Sequence, residues 1–486
     1  MKILIQQLAR LGDIYISWPA VRALRRQYPD AEIHFLTRPR FEGAVQGLTA
    51  IDRHISMPSG SILEPLVQEN PDIAGALAKL ENFIAPLKAE NYDWIINLTF
   101  SPFSSYLTHA LSTENTRVSG YSRFDDGYFR PCDEMSAYFY AQVGIGKANR
   151  VHLADIFASM LNLEYVEADW ATAEGITSDI QLPEGYMVVH VGASERQKAL
   201  SSFTWASALN AIAAERPNTA VALIGANSEV IQAQEIIDQC KNLRFFNYVG
   251  KTQISDLFAI IQKADLLLGC DSAPIHVASL TDTPTLNISV GAVNYWETGP
   301  KASLAFILRS EQETAQLGEK IGSVVNQLLS GVVDQDLIVR SSGLASYAKE
   351  DETAADAFQW NLVQAIYLGM PYPMADRVEI VQAALKLNEI NSFIMDQIAL
   401  IPSVGLERVA PLIEQGEEII KTVSRIVPEM SPLINWYHAE KIRIAPGSQE
   451  EIRSATLQVH QAFAQQLQVY IPQEEVQIAE AKDGTL

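Results

Sequence analysis

Short apolar runs alternate with amphipathic segments over the first two thirds of the chain. Such alternation is typical of βαβ units and predicts mostly parallel sheets. In the first series, strands are predicted at 3–5, 32–36, 94–98 and 117–121, with a helix over 14–28. The series ends near residue 165 and predicts an N-terminal Rossmann-like domain over 1–165.

The alternation restarts near residue 185, after the polar stretch 166–183, which we interpret as an interdomain linker. Strands of this second series are predicted at 187–191, 220–224, 245–249, 266–268 and 285–288. Continuous apolar runs of this length are typical of strands buried on both faces of a parallel sheet. We therefore expect a second Rossmann-like domain over 180–325.

From about residue 331 the strand signals nearly vanish. Long segments instead carry apolar residues at helical spacing, over 378–400, 406–426 and 450–470, and prolines separate them. The sequence therefore predicts an α/β protein of two Rossmann-like domains followed by an all-α C-terminal domain over 331–486.

Composition and charge narrow the class of protein. The 486 residues are 48% hydrophobic and 19% charged, as in ordinary globular proteins, with a formal net charge of −22. That charge argues against nonspecific nucleic-acid binding and against a broad electrostatic hold on anionic lipid. Three scattered cysteines fit a reducing compartment. With neither a signal-peptide pattern nor an apolar run of membrane-spanning length, we expect a cytoplasmic protein, at most peripheral to the inner face of the membrane.

The stretch 269–278, with the sequence GCDSAPIHVA, carries the strongest candidate chemistry. It follows the apolar run 264–268, and Asp271 or Ser272 can cap a helix in whose first turn Pro274 fits. Backbone N–H groups at such a helix start bind phosphate, and a strand entering a helix at a sheet edge is where nucleotides bind. The sequence therefore predicts a nucleotide site here.

This stretch also resembles the D-S-G-P-x-H signature of family 9 glycosyltransferases, the bacterial heptosyltransferases. Other blocks are similar in the same order: LGDIYISWPA at 11–20, VHVGA at 189–193, GKT at 250–252 with Leu257 and Ala264-Asp265, and Gly291 through Thr298-Gly299-Pro300. Together they extend the resemblance over roughly residues 1–325.

The resemblance implies a GT-B fold and an inverting glycosyltransferase that needs neither cofactor nor bound metal. The donor, ADP-heptose as substrate, would bind within 180–325, and the acceptor, a lipopolysaccharide-type glycan or a protein, would bind the N-terminal domain. Helix N-termini and basic residues would then hold the donor phosphates in place of a metal.

Asp13 is the candidate catalytic base, since it matches the base proposed for the family. Sugar transfer with inversion needs a carboxylate that takes the proton of the acceptor hydroxyl. The alternative is a structural role, as the N-cap of the helix over 14–28. A helix N-terminus alone would lower the pKa of this carboxylate and weaken it as a base.

The donor-side candidates surround the predicted nucleotide site. His276 would donate to a diphosphate oxygen as the nucleotide leaves. The other donor-binding candidates are Asp271, Ser272, Ala273, Gly192, Lys198, Arg196, Thr298 and Gly299. On the acceptor side, Arg38, Arg40 and Arg123 lie near predicted strand ends and would suit an acidic glycan, with a solvated surface role as the alternative.

Three departures from the family pattern leave alternatives open. The segment His190-Val191-Gly192 lacks the proline of the family's P-G-A. Ala273 replaces the glycine of D-S-G-P, and Phe203 stands two residues before Trp205, where the family tends to place a lysine. Lys198 or Arg196 are the candidates to supply that charge. The alternatives are a transferase for another nucleotide sugar, and an inactive GT-B scaffold whose helical domain binds a protein partner. A further alternative is that the helical domain recruits a protein acceptor.

Overall fold

The structure is a computed structural model that divides into two compact units. Unit 1 comprises Met1–Gly120 and Val151–Glu350, and unit 2 comprises Tyr121–Arg150 and Asp351–Leu486. Within them, the structure describes residues 1–144, 146–193, 195–334, 337–340 and 353–472. The division differs from the contiguous domains read from the sequence, because residues 121–150 cluster with the C-terminal helices.

The first sheet of unit 1 is parallel, with the strand order β3-β2-β1-β4-β5. Its strands are β1 (Lys2–Gln6), β2 (Glu32–Thr37), β3 (Arg53–Ser56), β4 (Trp94–Asn97) and β5 (Arg117–Arg123, which leaves unit 1 after Gly120). The helices of this half are α1 (Leu11–Gln27), α2 (Ser59–Leu63), α3 (Ile73–Ala89) and α4 (Pro102–Leu111). The strand order reverses between β1 and β4, so a crevice is expected beyond their carboxyl ends.

The second sheet of unit 1 has the order β13-β12-β11-β10-β7-β8-β9 and is parallel except at β13. Its strands are β7 (Tyr186–His190), β8 (Ala220–Ile224), β9 (Arg244–Asn247), β10 (Leu266–Cys270), β11 (Thr285–Val290), β12 (Ala305–Ser310) and β13 (Ile338–Arg340). Helix α6 (Leu153–Leu161) packs against α1 of the first half, and the helices of this half are α7 (Ser202–Glu215), α8 (Val230–Gln239), α9 (Asp256–Ile261), α10 (Ala273–Thr281), α11 (Tyr295–Thr298) and α12 (Leu317–Leu329). Here the order reverses between β7 and β10.

Unit 2 is built around helices from both ends of its discontinuous chain. Its elements are the end of β5 with β6 (Phe129–Pro131), and the helices α5 (Glu134–Gln142), α13 (Ala354–Leu368), α14 (Val378–Val404), α15 (Leu406–Ile426), α16 (Ser431–Ile442) and α17 (Gln449–Leu467). The core includes Ile394, Leu433, Tyr437 and Phe463, which are fully buried.

Helix α5 joins the C-terminal helices through small side chains. Ala137 and Ala141 pack against Ala439 of α16, and methyl-sized contacts let two helices approach closely. At the end of α5, the buried Gln142 amide donates to the carbonyl of Pro432 over 2.9 Å. These contacts join residues about 300 positions apart, which explains why local patterns placed 121–150 with the N-terminal sheet.

The two parallel sheets with their helices confirm the α/β fold class of two Rossmann-like halves, and the helices after Thr353 confirm the helical C-terminal region. The central strands are nearly all buried, because each lies between helices on both faces of the sheet. In the second half, Val189, Leu223 and Leu268 form one core with Trp205 of α7. These rigid strands hold the loops that carry the candidate site.

Candidate active site

Two cavities lie where the strand order of each sheet reverses in unit 1. Cavity A, about 660 Å³, is lined by Asp13, Thr99 and Leu77 among others, beyond the ends of β1 and β4. Cavity B, about 530 Å³, is lined by His190 and Ser272 among others, beyond the ends of β7 and β10. Both positions agree with the rule that ligands bind beyond the carboxyl ends of strands at such a reversal.

Asp13 faces cavity A from the first turn of α1. The helix begins at Leu11 rather than at 14, so Asp13 is its third residue and not its N-cap. Its Oδ2 accepts a hydrogen bond from the backbone N–H of Arg10 over 2.9 Å, which gives the carboxylate a capping role all the same.

The environment of Asp13 raises the pKa of its carboxyl above the usual value. The main cause is burial, which removes water from the charged form; the negative charge of Asp271 acts in the same direction. The Arg10 backbone hydrogen bond and the charges of Arg10 and Lys198 lower the pKa but do not outweigh burial. The net shift is therefore opposite to the lowering that a helix N-terminus alone predicts.

Asp271, directly after β10, is held by two partners. Lys198 Nζ lies 2.7 Å from its Oδ2, and the Thr298 hydroxyl donates to its Oδ1 over 2.8 Å. The side chains of Lys198 and Asp271 are 13% and 11% exposed, so little solvent screens the ion pair. Lys198 thus brings a positive charge to this loop, whereas the family pattern places a lysine two residues before Trp205. Arg196, the other candidate for this charge, is exposed.

Ser272 is the N-cap residue of α10, but its hydroxyl turns back toward the sheet. It donates to the carbonyl of Cys270 over 2.8 Å and lies 2.9 Å from His190 Nδ1. Burial lowers the pKa of His190 to about 4, so the neutral ring can donate its Nδ1–H to this oxygen. The start of α10, including Ala273 and Pro274, lines cavity B.

The His276 side chain of α10 lies close to Gly12 in the first turn of α1. A Cβ atom built on Gly12 would lie 2.8 Å from His276 Cδ2 and 3.1 Å from Nε2. The imidazole is buried and lies directly beside the turn that carries Asp13. A glycine is therefore required at position 12 if His276 is to keep its place.

Gly192 and Gly225 leave room for a carboxylate that the sequence reading missed. A Cβ on Gly192 would lie 2.5 Å from Glu229 Oε1, and one on Gly225 would lie 2.8 Å from Glu229 Oε2. Glu229 lines cavity B and accepts a hydrogen bond from the backbone N–H of Ala226. Glu229 bonds back to the N-cap N–H as the third residue of a capping box does, but Ala226 lacks the side-chain oxygen of that motif, so the local sequence does not mark Glu229.

Arg10 is a second residue that sequence reasoning missed. It lines both cavities, and its Nη1 lies 2.7 Å from Glu195 Oε1. The two residues come from loops 185 positions apart in the chain, after β1 and after β7, so no local pattern could have paired them.

The three acceptor-side arginines and Gly299 lie in different parts of the structure. Arg38 lines cavity A with Asp13, and its Nε donates to the carbonyl of Leu8. Arg40 lines cavity B, with its guanidinium 4.4 Å from the centre of the Phe41 ring. Arg123 belongs to unit 2, where it donates to Gly127 O over 3.3 Å. After Thr298, the carbonyl of Gly299 lies 3.1 Å from His152 Nε2.

The described part of the chain contains neither a cluster of metal-ligating side chains nor a membrane-spanning helix. Among those residues, no group of three or more histidine, cysteine, aspartate or glutamate side chains is placed to hold a metal ion. Within the same ranges, no helix is both long and apolar enough to cross a membrane.

Several known proteins are similar to this chain. Lipopolysaccharide heptosyltransferase 3 of Escherichia coli K12 is 24% identical over 311 residues, covering 57% of this chain and 79% of that protein. Lipopolysaccharide heptosyltransferase 1 of Campylobacter coli is 23% identical over 313 residues, covering 61% and 85%. Among solved structures, E. coli heptosyltransferase WaaC with ADP has a TM-score of 0.49 and 16% identity, covering 68% of this chain and 99% of that one.

A family model agrees with these relatives and with the resemblance seen in the sequence. The model for glycosyltransferase family 9 (heptosyltransferase) matches residues 81–325, which is half of the chain. The chain therefore belongs to glycosyltransferase family 9 and is a heptosyltransferase-like enzyme.

Proposed function

We propose that this protein transfers a heptose from ADP-heptose to a hydroxyl of a lipopolysaccharide-type saccharide, with inversion and without a bound metal. The observation that carries the proposal is the placement of Asp13 in cavity A while Ser272 and Ala273 line cavity B beside the Lys198–Asp271 pair. Family membership and relatives named as lipopolysaccharide heptosyltransferases support the choice of donor and acceptor class.

The diphosphate of the donor would be held by backbone N–H groups and by the Lys198–Asp271 ion pair. The start of α10 offers N–H groups and the positive end of the helix to a diphosphate, and Lys198 adds a cation nearby. Because Lys198 already offsets the charge of Asp271, a phosphate there meets less repulsion than a bare carboxylate would cause. Glu229, beside Gly192 and Gly225, is suited to accept hydrogen bonds from ribose hydroxyls.

Transfer would be a single displacement across the two cavities. The acceptor oxygen attacks the anomeric carbon from the face opposite to ADP, the bond from that carbon to the phosphate oxygen breaks, and ADP leaves with the electron pair. Asp13 takes the hydroxyl proton, and its raised pKa makes it a stronger base than an ordinary aspartate. The α10 N-terminus and Lys198 stabilise the charge that develops on the leaving diphosphate.

Calorimetry with the intact protein tests the donor assignment. We expect saturable binding of ADP-heptose and of ADP, no binding of UDP, and at least tenfold weaker ADP binding by Lys198→Ala. Lys263→Ala, which changes an exposed lysine of the same half, is the matched control and should bind like the wild type. Binding of UDP alone would support another nucleotide sugar, and binding of none of them would support an inactive scaffold.

A further inference from the structure

Cavity A is polar where it meets Asp13 and mostly apolar elsewhere. The polar lining residues are Asp13 in the first turn of α1, then Arg10, Arg38 and Thr99 shortly after β1, β2 and β4, and the serines Ser59 and Ser101. The segment 57–80, which contains α2 and α3, contributes the apolar residues Met57, Ile62, Leu63, Leu66, Leu77 and Leu80. In this segment Lys79 pairs with Glu64 over 3.0 Å, and neither residue belongs to the lining.

Several of these apolar side chains are open to solvent. Leu63 and Leu77 are each 53% exposed and Ile73 is 65% exposed, although all three line a concave surface. Exposed apolar side chains gathered into one patch mark interaction sites, among them ligand-binding grooves. The volume of about 660 Å³ lies within the range of roughly 300 to 1,000 Å³ found for small-molecule sites.

The reacting hydroxyl has to enter this same cavity, because Asp13 lines it. The cations lie at the polar end of the cavity, where Arg10 pairs with Glu195 and Arg38 donates its Nε–H to Leu8 O. The rest of the acceptor therefore meets leucine and isoleucine side chains, which stabilise hydrocarbon and leave a charged group unsolvated. A flexible aliphatic chain can fill a concave surface of this kind.

We propose that the acceptor carries an alkyl or acyl chain directly on the sugar or alcohol that bears the reacting hydroxyl, and that α2 and α3 bind this chain in cavity A. The proposal rests on the proposed function for the identity of the acceptor site. It goes further by naming the chemistry next to the hydroxyl, which the relatives do not specify.

Alkyl glucosides of increasing chain length, used below their micelle concentrations with ADP-saturated full-length protein, test this assignment. Calorimetry should show affinity rising by up to about fourfold for each methylene added between butyl and octyl glucoside. Leu77→Asp should remove this dependence, because it places a charge on the apolar lining. Val67→Asp is the matched control, since Val67 is 82% exposed on the same segment but lies outside the lining.

The outcomes separate this proposal from the transferase proposal. A wild-type affinity that does not change with chain length, or equal losses in Leu77→Asp and Val67→Asp, would overturn the assignment of cavity A. A dimer that dissociates in Leu77→Asp, without any chain-length effect, would show that a second copy covers the surface and would also overturn it. If ADP fails to bind while the chain-length dependence persists, the apolar site stands and the transferase proposal fails.

Discussion

Replacing Asp13 by asparagine separates its proposed chemistry from its structural role. The amide oxygen of asparagine can still accept the 2.9 Å hydrogen bond from the Arg10 backbone, so the first turn of α1 should persist. The variant loses the negative charge of the carboxylate and with it the ability to take a proton. Any loss of transfer can therefore be assigned to the base rather than to a displaced helix.

The expected loss is large. A positioned general base contributes roughly 10²- to 10⁴-fold, so we expect kcat of Asp13→Asn to fall by about that factor, or by about 3 to 5 kcal/mol of transition-state stabilisation. The affinity for ADP should be unchanged, since Asp13 lines cavity A and not cavity B.

The free energy of unfolding of Asp13→Asn should be no lower than that of the wild type, although its kcat falls. The folded state raises the pKa of Asp13 above its unfolded value, so the ionised carboxylate costs folding free energy at any pH above the folded pKa. This cost is absent below the unfolded pKa, where both states are protonated. Asp13→Asn should therefore be at least as stable as the wild type at pH 7, and urea titrations at several pH values should show the difference shrinking as the pH falls.

The assay follows ADP release against pH. The wild type should show an acidic limb in kcat/KM with a midpoint above the ordinary aspartate pKa, because the base must be ionised. Arg10→Ala should move this midpoint higher still, since the charge of Arg10 lowers the pKa of Asp13. If Asp13→Asn keeps more than a tenth of the wild-type kcat with unchanged ADP binding, Asp13 is not the base.

Three further substitutions and one control test other parts of the structure. Lys198→Met leaves its carboxylate partner unpaired, and the free energy of unfolding in urea should fall by about 1 to 3 kcal/mol, less than for a fully buried pair. Gly12→Ala places a methyl 2.8 Å from His276 and should lower kcat at least tenfold in the ADP-release assay while Tm changes little. Gly416→Ala puts a Cβ 2.6 Å from an isoleucine side chain and should cost about 1 to 3 kcal/mol in thermal unfolding. Gly60→Ala, which meets open space in a helix, should cost nothing.

Central strands and long helices could be predicted from the sequence because their burial dictates a local pattern. The apolar run 220–224 and the helical spacing over 406–426 coincide with β8 and α15. The short edge strands β3 and β6 were missed, since residues such as Arg53 and Arg130 interrupt any apolar run. Strand β12 was missed as well, although Ala305–Ser310 begins with an apolar run.

The residues of the candidate site also fall into two groups, those that the sequence could identify and those that it could not. Asp13 and Asp271 belong to local motifs at strand ends, so the sequence could identify them as candidates. Glu229 and the Arg10–Glu195 pair depend on which loops meet in three dimensions, and a linear pattern carries no such information. For the same reason the sequence could not show that Arg123 lies away from the site. Its strand β5 leaves unit 1 after Gly120, so Arg123 belongs to unit 2.

The two aspartates of the site illustrate how environment assigns opposite roles to one residue type. Lys198 and Thr298 contact the two carboxylate oxygens of Asp271 through an ion pair and a hydrogen bond, whereas burial raises the pKa of Asp13 and keeps it ready to take a proton. The two are coupled, because the charge of Asp271 raises the pKa of Asp13 and that of Lys198 lowers it. A diphosphate bound at the start of α10 would add negative charge on the same side, so we expect donor binding to raise the pKa of Asp13 further. The base would then be strongest when the donor is in place.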